Sequence, residues 1–185
     1  MGRWIFDRAI RAYAQCVPKS ADFTMSVNLS YLQLIEQAFV NFMDETLKKY
    51  GVDAGNIIVE LTESNIVSSI DALAHVFQKI RELGIRIAMD DFGTGYSSLE
   101  ILKNCPADVV KIDRAFIRDI RSSTFDATFI RFIVELCHDV GIKVCLEGVE
   151  TREEYDIVRL MNLDFIQGFL FGRPMPEEEF NQLRH

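Results

Sequence analysis

The sequence has few of the residues that mark disulfide-bonded, zinc-binding or membrane-spanning proteins. Its 185 residues include only four cysteines, and no two of them form a CxxC pair. Cys137 and Cys145 lie in apolar segments typical of buried thiols, so we predict neither a disulfide framework nor a zinc site. No apolar run is long enough to span a bilayer, and no signal peptide is recognisable at the N-terminus. We therefore expect a cytoplasmic domain, although the parent protein could be anchored to a membrane.

Positive charge is also scarce. The chain has 20 lysines and arginines against 28 aspartates and glutamates, which gives a formal net charge of -8. This balance argues against a protein that binds polymeric nucleic acid, because such proteins carry basic surfaces. It remains compatible with a small phosphate ligand held through metal ions. A length of 185 residues with 49% hydrophobic residues fits one domain with a substantial core.

Short apolar segments alternate with helical patterns along the whole chain. The apolar segments lack a clean two-residue alternation, which is typical of parallel strands buried on both faces. This order predicts an α/β fold. The expected strands are residues 23–28, 57–61, 85–89, 108–111, 143–146 and 165–167. The expected helices are residues 1–15, 31–50, 70–83, 99–104, 125–140 and 151–161, with a last acidic helix after Pro176.

Each predicted strand ends on a polar side chain. In barrels of parallel strands the active site lies at the carboxyl ends of the strands, so these side chains are expected to converge. Loops are polar in any case, and that alone would explain any single position. It explains less well a set so rich in carboxylates and amides with one cation. The set is Asn28, Glu60, Asp90, Lys111, Glu147 and Gln167, with Asp91 next to Asp90.

Clustered carboxylates repel one another unless a counter-charge is present. Oxygen ligands favour Mg²⁺ or Mn²⁺ over zinc, and the three histidines (His75, His138 and His185) are scattered along the chain. Two such ions flanking a phosphate would suit hydrolysis of a phosphodiester. The Asp90–Asp91 pair precedes a turn containing Gly93 and Gly95, which would permit close approach of the backbone to a ligand. Taken alone, this stretch is equally consistent with an ordinary strand-to-helix turn.

Six motifs in order resemble the EAL domain family, which hydrolyses the bacterial second messenger cyclic di-GMP to linear pGpG. The resemblance covers essentially the whole chain. The motifs begin at Ser26 (SVNLS), Glu60 (ELTES), Asp90 (DDFGTGYSSL), Lys111 (KIDR), Glu147 (EGVET) and Gln167 (QGF). The resemblance implies a TIM-barrel-like fold and two Mg²⁺ or Mn²⁺ ions in the complete site.

The resemblance also implies roles for individual residues. Metal ligation is implied for Asn28, Glu60, Asp90 and Asp91, with Asp113 supporting the second metal region. Lys111 would position the attacking water or a phosphate oxygen, and Glu147 would act in the water network as a candidate general base. Gln167 would contact the ligand. Glu63 and Glu150 would stabilise loops. Capping of a helix or turn explains Glu63 equally well, and the Glu150 assignment is weaker, because Glu150 precedes the Thr151 cap and favourable charge at the helix end also explains it.

The Glu-Ala-Leu signature that names the family is absent from this sequence. By resemblance it would lie upstream of Met1, so residues 1–185 are expected to form a single EAL domain that lacks its N-terminal strands and first helix. About six of the eight barrel strands would be present. We expect weak or no hydrolysis from this chain, and association through exposed sheet edges into a homodimer or a higher assembly.

Two alternatives to an enzyme of this family follow from the sequence. The chain could be a non-catalytic module that binds cyclic di-GMP or a protein in bacterial signalling. It could also be an unrelated barrel enzyme in which Lys111 forms a Schiff base, but that chemistry needs a lysine of lowered pKa, and neighbouring carboxylates would raise it. An upstream sensory or GGDEF domain is a possible partner in the parent protein.

Overall fold

A computed structural model describes residues 1–16, 23–62, 70–95, 98–105 and 107–182. The chain divides into two compact units, Met1–Lys111 and Ile112–His185, and the boundary falls inside the fourth strand. Six strands alternate with eight α-helices over the described ranges, as the sequence predicts. Within those ranges, no helix is both long enough and apolar enough to cross a membrane.

The first unit is built on four neighbouring strands in sequential order. Strand β1 pairs with β2 and β2 pairs with β3, both in parallel, with Asn28 opposite Glu60 and Thr62 opposite Asp90. The elements are α1 (Gly2–Cys16), β1 (Met25–Asn28), α2 (Tyr31–Leu34), α3 (Gln37–Tyr50), β2 (Ile57–Thr62), α4 (Ile70–Glu82), β3 (Arg86–Phe92), α5 (Ser98–Asn104) and β4 (Val109–Ile112).

The second unit continues the same alternation. Strand β5 pairs with β6 in parallel, and the backbone N–H of Glu147 donates to the carbonyl of Ile112. A capping box opens α7, as predicted, because the side chains of Thr151 and Glu154 each bond to the other's backbone N–H. The elements are α6 (Thr124–Asp139), β5 (Lys143–Leu146), α7 (Arg152–Val158), β6 (Phe165–Ile166) and α8 (Glu177–Gln182).

The cores consist of apolar strand residues covered by the apolar stripes of helices. In the first unit, Phe6 of α1 packs edge-on against Phe39 and Phe42 of α3, with ring centroids 6.5 and 6.4 Å apart. In the second unit, Ile133 and Cys137 of α6 are fully buried. Burial raises the pKa of the Cys137 thiol to about 11, and the nearby Asp164 charge adds to this effect.

One predicted helix is interrupted. The sequence predicts a single helix over residues 31–50, but the structure has α2, a break at Ile35 and Glu36, and then α3. Leu34 is buried and the next buried side chain is Phe39, five residues later. Positions five residues apart do not share a helix face, so one straight helix could not bury both Leu34 and Phe39 against the same surface. The predicted stop at Gly51 is confirmed, since this residue adopts a left-handed conformation after α3.

Candidate metal-binding site

Three strands of the first unit carry a buried group of charges. Lys111 Nζ on β4 lies 2.8 Å from Glu60 Oε2 on β2 and 2.9 Å from Asp90 Oδ1 on β3. The three side chains are only 7%, 8% and 13% exposed, in that order. We call this group the Lys111 triad. The sequence analysis predicts that these three residues meet, and the structure confirms it within the first unit.

Burial makes the Lys111 triad unusual within this protein. Among the described residues, the buried polar or charged side chains are Thr46, Glu60 and Lys111. Thr46 satisfies its hydroxyl by donating to the carbonyl of Phe42, one helical turn earlier. A buried charged side chain cannot be satisfied by the backbone of its own helix turn in this way, and it is tolerated inside a protein only when it is paired with an opposite charge. Lys111 is paired with two carboxylates from neighbouring strands.

Strand β3 extends further at its carboxyl end than the sequence predicts. The third strand is predicted to stop at Met89, but β3 continues through Asp90 and Asp91 to Phe92. Phe92 is almost fully buried, so it anchors this extension in the core. Asp91 has a φ of 56°, in the left-handed region that is uncommon for side chains other than Asn and Asp. Gly93 follows with a φ of 94°, as expected of a glycine needed at this turn.

Asn28 ends β1 and is exposed, opposite Glu60 in the strand register. The backbone N–H of Leu29 donates to the carbonyl of Glu60, which keeps the end of β1 alongside β2. Asp91 is half-buried at the end of β3. These positions are compatible with the predicted ligand roles of Asn28 and Asp91. Glu63 lies outside the described residues.

The second unit holds its predicted site residues through backbone contacts. Glu147 directly follows β5 and Gln167 directly follows β6. The N–H of Gln167 donates to the carbonyl of Leu146, and the N–H of Val149 donates to the carbonyl of Gln167. These two bonds fix the loops that carry Glu147 and Gln167 against each other.

Two glycines make this close contact possible. A Cβ at Gly168 would lie 2.0 Å from the carbonyl oxygen of Val149, and a Cβ at Gly148 would lie 2.3 Å from the Cβ of Arg114. Gly148 also has a φ of 78°. Both glycines lie in the family motifs EGVET and QGF, which assign no role to them. Their role is steric, and no sequence pattern short of the motifs themselves indicates it.

Two further predicted site residues make local capping contacts. Asp113 accepts a hydrogen bond from the N–H of Ala115 at 2.8 Å, at the start of a short 3₁₀ helix. Glu150 is exposed, and its backbone N–H donates to Glu154 in the capping region of α7. This bond uses the backbone of Glu150 and not its carboxylate, so the role of the Glu150 side chain stays a prediction.

The Lys111 triad fits a site for a divalent cation. Carboxylate oxygens of Glu60 and Asp90 both reach one nitrogen atom, so they are close enough together to share one cation. Both donors are hard oxygen ligands, which suit Mg²⁺ and Mn²⁺. The neighbouring residues Asp91 and Asn28 would add further oxygen ligands of the same type.

Comparisons with known proteins agree with the motifs. A sequence profile of the EAL domain matches residues 1–174. The chain is 36% identical over 180 residues to the bifunctional diguanylate cyclase/cyclic di-GMP phosphodiesterase MucR of Pseudomonas aeruginosa, covering 97% of this chain and 26% of that protein. It is 34% identical over 182 residues to the cyclic di-GMP phosphodiesterase PdeR of Escherichia coli, covering 98% and 28%. The chain thus spans about a quarter of the length of these curated relatives.

Solved structures confirm the predicted α/β, TIM-barrel-like fold. The EAL domain of Mycobacterium smegmatis DcpA has a TM-score of 0.92 at 30% identity, covering 99% of this chain and 83% of that one. The PaMucR phosphodiesterase in complex with cyclic di-GMP has a TM-score of 0.89 at 36% identity, covering 97% and 73%. Klebsiella pneumoniae BlrP1, solved with manganese and cyclic di-GMP, has a TM-score of 0.86 at 30% identity, covering 92% and 43%. The chain belongs to the EAL domain family.

Proposed function

We propose that this chain is a metal-dependent phosphodiesterase domain of the type that binds cyclic di-GMP and hydrolyses it to linear pGpG, with weak or no hydrolysis expected from the chain itself. The observation that carries the proposal is the Lys111 triad: two buried carboxylates converge on one cation-sized position, in a chain that matches the EAL domain over nearly its full length. In the reaction, a water oxygen bonds to phosphorus and one P–O bond of the cyclic ligand breaks.

The proposed cofactor is Mg²⁺ or Mn²⁺, with two ions in the complete site. When bound, these ions would lower the pKa of a water molecule and stabilise charge on the phosphate. The chain's own contribution to ligation is oxygen donors. Glu60 and Asp90 are the best supported of them, because both are buried and face one position. Asn28, Asp91 and Asp113 are proposed as further ligands on the strength of the family motifs.

The remaining assignments concern protons and substrate contacts. Lys111 would orient a water molecule or a phosphate oxygen through its ammonium group, which donates hydrogen bonds and accepts none. Glu147 is proposed as the base that takes a proton from the water, and Gln167 as a contact to the ligand. Glu63 and Glu150 are proposed to stabilise loops.

A non-catalytic module that binds cyclic di-GMP is the second candidate. Asp113 favours it, because one of its carboxylate oxygens is already used to cap a 3₁₀ helix. A binding module needs the ligand contacts but does not need both ions correctly placed. The two candidates therefore differ in turnover and agree in binding.

The test combines binding and turnover. Calorimetric titration of cyclic di-GMP with Ca²⁺ in place of Mg²⁺ measures binding, and release of pGpG with Mn²⁺ measures hydrolysis. Binding with hydrolysis supports the enzyme, whereas binding without hydrolysis supports the module. Absence of binding to a folded sample would overturn both.

A matched pair of variants assigns the result to the Lys111 triad. Glu60→Gln should weaken Mn²⁺ binding at least about tenfold and abolish any hydrolysis, because a carboxylate ligand becomes a neutral amide. Glu45→Gln makes the same chemical change at an exposed position of α3 and should leave both measurements unchanged. Equal Mn²⁺ affinity in the two variants would remove Glu60 from the metal site.

A homodimer is proposed on two observations. Over the described ranges, β1 pairs only with β2 and so presents an edge. In the second unit, Phe125 and Phe132 are 72% and 50% exposed and lie seven residues apart, on one face of α6. Sedimentation equilibrium at micromolar concentration should give twice the chain mass, and a monomer mass would contradict this.

A cytoplasmic location is proposed on the state of one thiol. Cys137 is a free and buried cysteine, as is common for proteins of a reducing compartment. A sensory or GGDEF domain stays the predicted partner in the parent protein.

A further inference from the structure

The ammonium group of Lys111 lies where a cation would be bound by Glu60 and Asp90. It lies 2.8 Å from an oxygen of Glu60 and 2.9 Å from an oxygen of Asp90. These are the distances of charge-assisted hydrogen bonds. The two acceptor oxygens belong to the residues best placed to be metal ligands. Lys111 Nζ therefore bonds to the same oxygen atoms that are proposed to bind the metal ion.

The burial of the Lys111 triad gives this contact a large effect. Two carboxylates on neighbouring strands would repel each other strongly in a poorly solvated site. Of the residues that the structure describes, Lys111 is the only buried cation. Its charge cancels one of the two negative charges and leaves the Lys111 triad with a net charge of -1. That residual charge still attracts a divalent ion.

We infer that Lys111 is an internal counter-cation that competes with the divalent metal ion for the oxygens of Glu60 and Asp90. The inference rests on the proposed function only in taking these two residues as metal ligands. An ammonium and a divalent ion cannot share the same two oxygens at bonding distance without strong repulsion between their charges. Because Glu60 Oε2 and Asp90 Oδ1 already converge on one position, the ion is expected to bind there, and Lys111 would then withdraw from these two oxygens.

The exchange gives Lys111 two successive roles. While its ammonium bonds to Glu60 and Asp90, it holds β2, β3 and β4 together at their buried end. Once it leaves them, the N–H donors that bonded to Glu60 and Asp90 become available to a substrate phosphate oxygen. Binding of the metal ion would therefore release the Lys111 ammonium to bind the substrate phosphate.

The first test compares two lysine-to-methionine variants in protein stripped of metal with a chelator. Lys111→Met should lower Tm by about 10 °C, because it leaves two buried carboxylates unpaired. Lys49→Met removes the same charge from an exposed pair with Asp7, in which the lysine is 60% exposed, and should shift Tm by about 2 °C or less.

The second test measures metal affinity, with Mn²⁺ as the titrant in calorimetry. Lys111→Met should bind Mn²⁺ about tenfold more tightly than the wild type, and saturating Mn²⁺ should recover most of its lost Tm. Lys49→Met should bind as the wild type does. Unchanged or weaker Mn²⁺ binding by folded Lys111→Met overturns the inference while leaving the proposed function intact. No Mn²⁺ binding by the wild type overturns the proposed function itself.

A measurement on the wild type covers the case in which Lys111→Met fails to fold. The side-chain ¹⁵Nζ resonance of Lys111, assigned by its loss in Lys111→Arg, should shift when Mg²⁺ is added. A Lys111 resonance that stays in place while Mg²⁺ binds overturns the inference, because the ammonium would then not have left its carboxylates.

Discussion

The two units hold their candidate functional residues by different physical means. In the first, the side chains of Glu60, Asp90 and Lys111 hold one another through charge, and burial strengthens that interaction. In the second, Glu147 and Gln167 follow their strands on loops joined by backbone hydrogen bonds, and two glycines allow those loops to meet. The first arrangement depends on the charges of its side chains, whereas the second depends on backbone hydrogen bonds and close packing.

Because of this difference, substitutions in the two units should respond differently to the presence of metal. Changes at the Lys111 triad should depend on metal and on the chelator, because a bound ion can replace a lost charge. Changes at the glycines should be the same with and without metal, because no ion relieves a steric overlap with backbone atoms.

The largest expected effect is steric. Gly168→Ala would place a methyl group 2.0 Å from the carbonyl oxygen of Val149 and 2.4 Å from its nitrogen. The free energy of unfolding should fall by about 3 kcal/mol, since backbone atoms cannot yield as a flexible side chain would. Urea denaturation followed by circular dichroism measures this, with the same loss expected with and without Mn²⁺.

Gly172 provides the control for that change. A Cβ at Gly172 would meet no heavy atom within 4 Å, so Gly172→Ala should alter stability by no more than about 0.5 kcal/mol. Equal stability of the two variants would show that the loops carrying Val149 and Gly168 separate easily.

An intermediate effect is expected at Asp91, where the backbone has a φ of 56°. Asp91→Ala and Asp91→Gly both remove the carboxylate, but only alanine keeps a Cβ in the left-handed region. The glycine variant should therefore be more stable than the alanine variant by about 1 kcal/mol in thermal unfolding. The opposite order would mean that the backbone relaxes once the carboxylate is gone.

The smallest effect concerns a contact in the second unit, in which His138 Nε2 lies 2.8 Å from Asp164 Oδ2. Burial alone would raise the pKa of the Asp164 carboxyl, but hydrogen bonds from the Val144 N–H and from His138 outweigh it and lower the pKa. A lowered pKa stabilises the fold above the ordinary aspartate pKa, near 4, and this stability is lost as pH falls through the folded value.

The variant Asp164→Asn tests whether stability falls with pH in this direction. The stability of the wild type should decline more steeply than that of Asp164→Asn as pH is lowered below about 4, by less than about 1 kcal/mol. Asp156→Asn, which alters an exposed pair with Arg159, serves as the control. Parallel pH profiles for all three proteins would show that Asp164 titrates normally.

The parts of the fold that follow from periodic burial could be predicted from sequence. All six strands and the capping box at Thr151 were predicted near their observed positions, because apolar runs and cap residues act locally. The break at Ile35 and Glu36 could not be recognised, since it depends on which surface Leu34 and Phe39 each pack against. The extension of β3 depends likewise on the burial of Phe92.

The candidate site shows the same limit. The residue types at the strand ends predicted that Glu60, Asp90 and Lys111 would meet, because parallel strands in order bring their ends together. Sequence could not show that Lys111 bonds to both carboxylates at once, which depends on strand register. Nor could it show that Gly168 is required by contact with Val149, which lies on a different loop.

The buried thiol of Cys137 has a consequence for following the motions of the second unit. With a pKa of about 11, only about one thiol in ten thousand is ionised at pH 7, and the side chain is fully buried. An alkylating reagent should therefore react with Cys137 only when α6 lifts from the sheet. The rate of alkylation at this one sulfur, read by mass spectrometry, would report the rate at which α6 opens without any substitution in the chain.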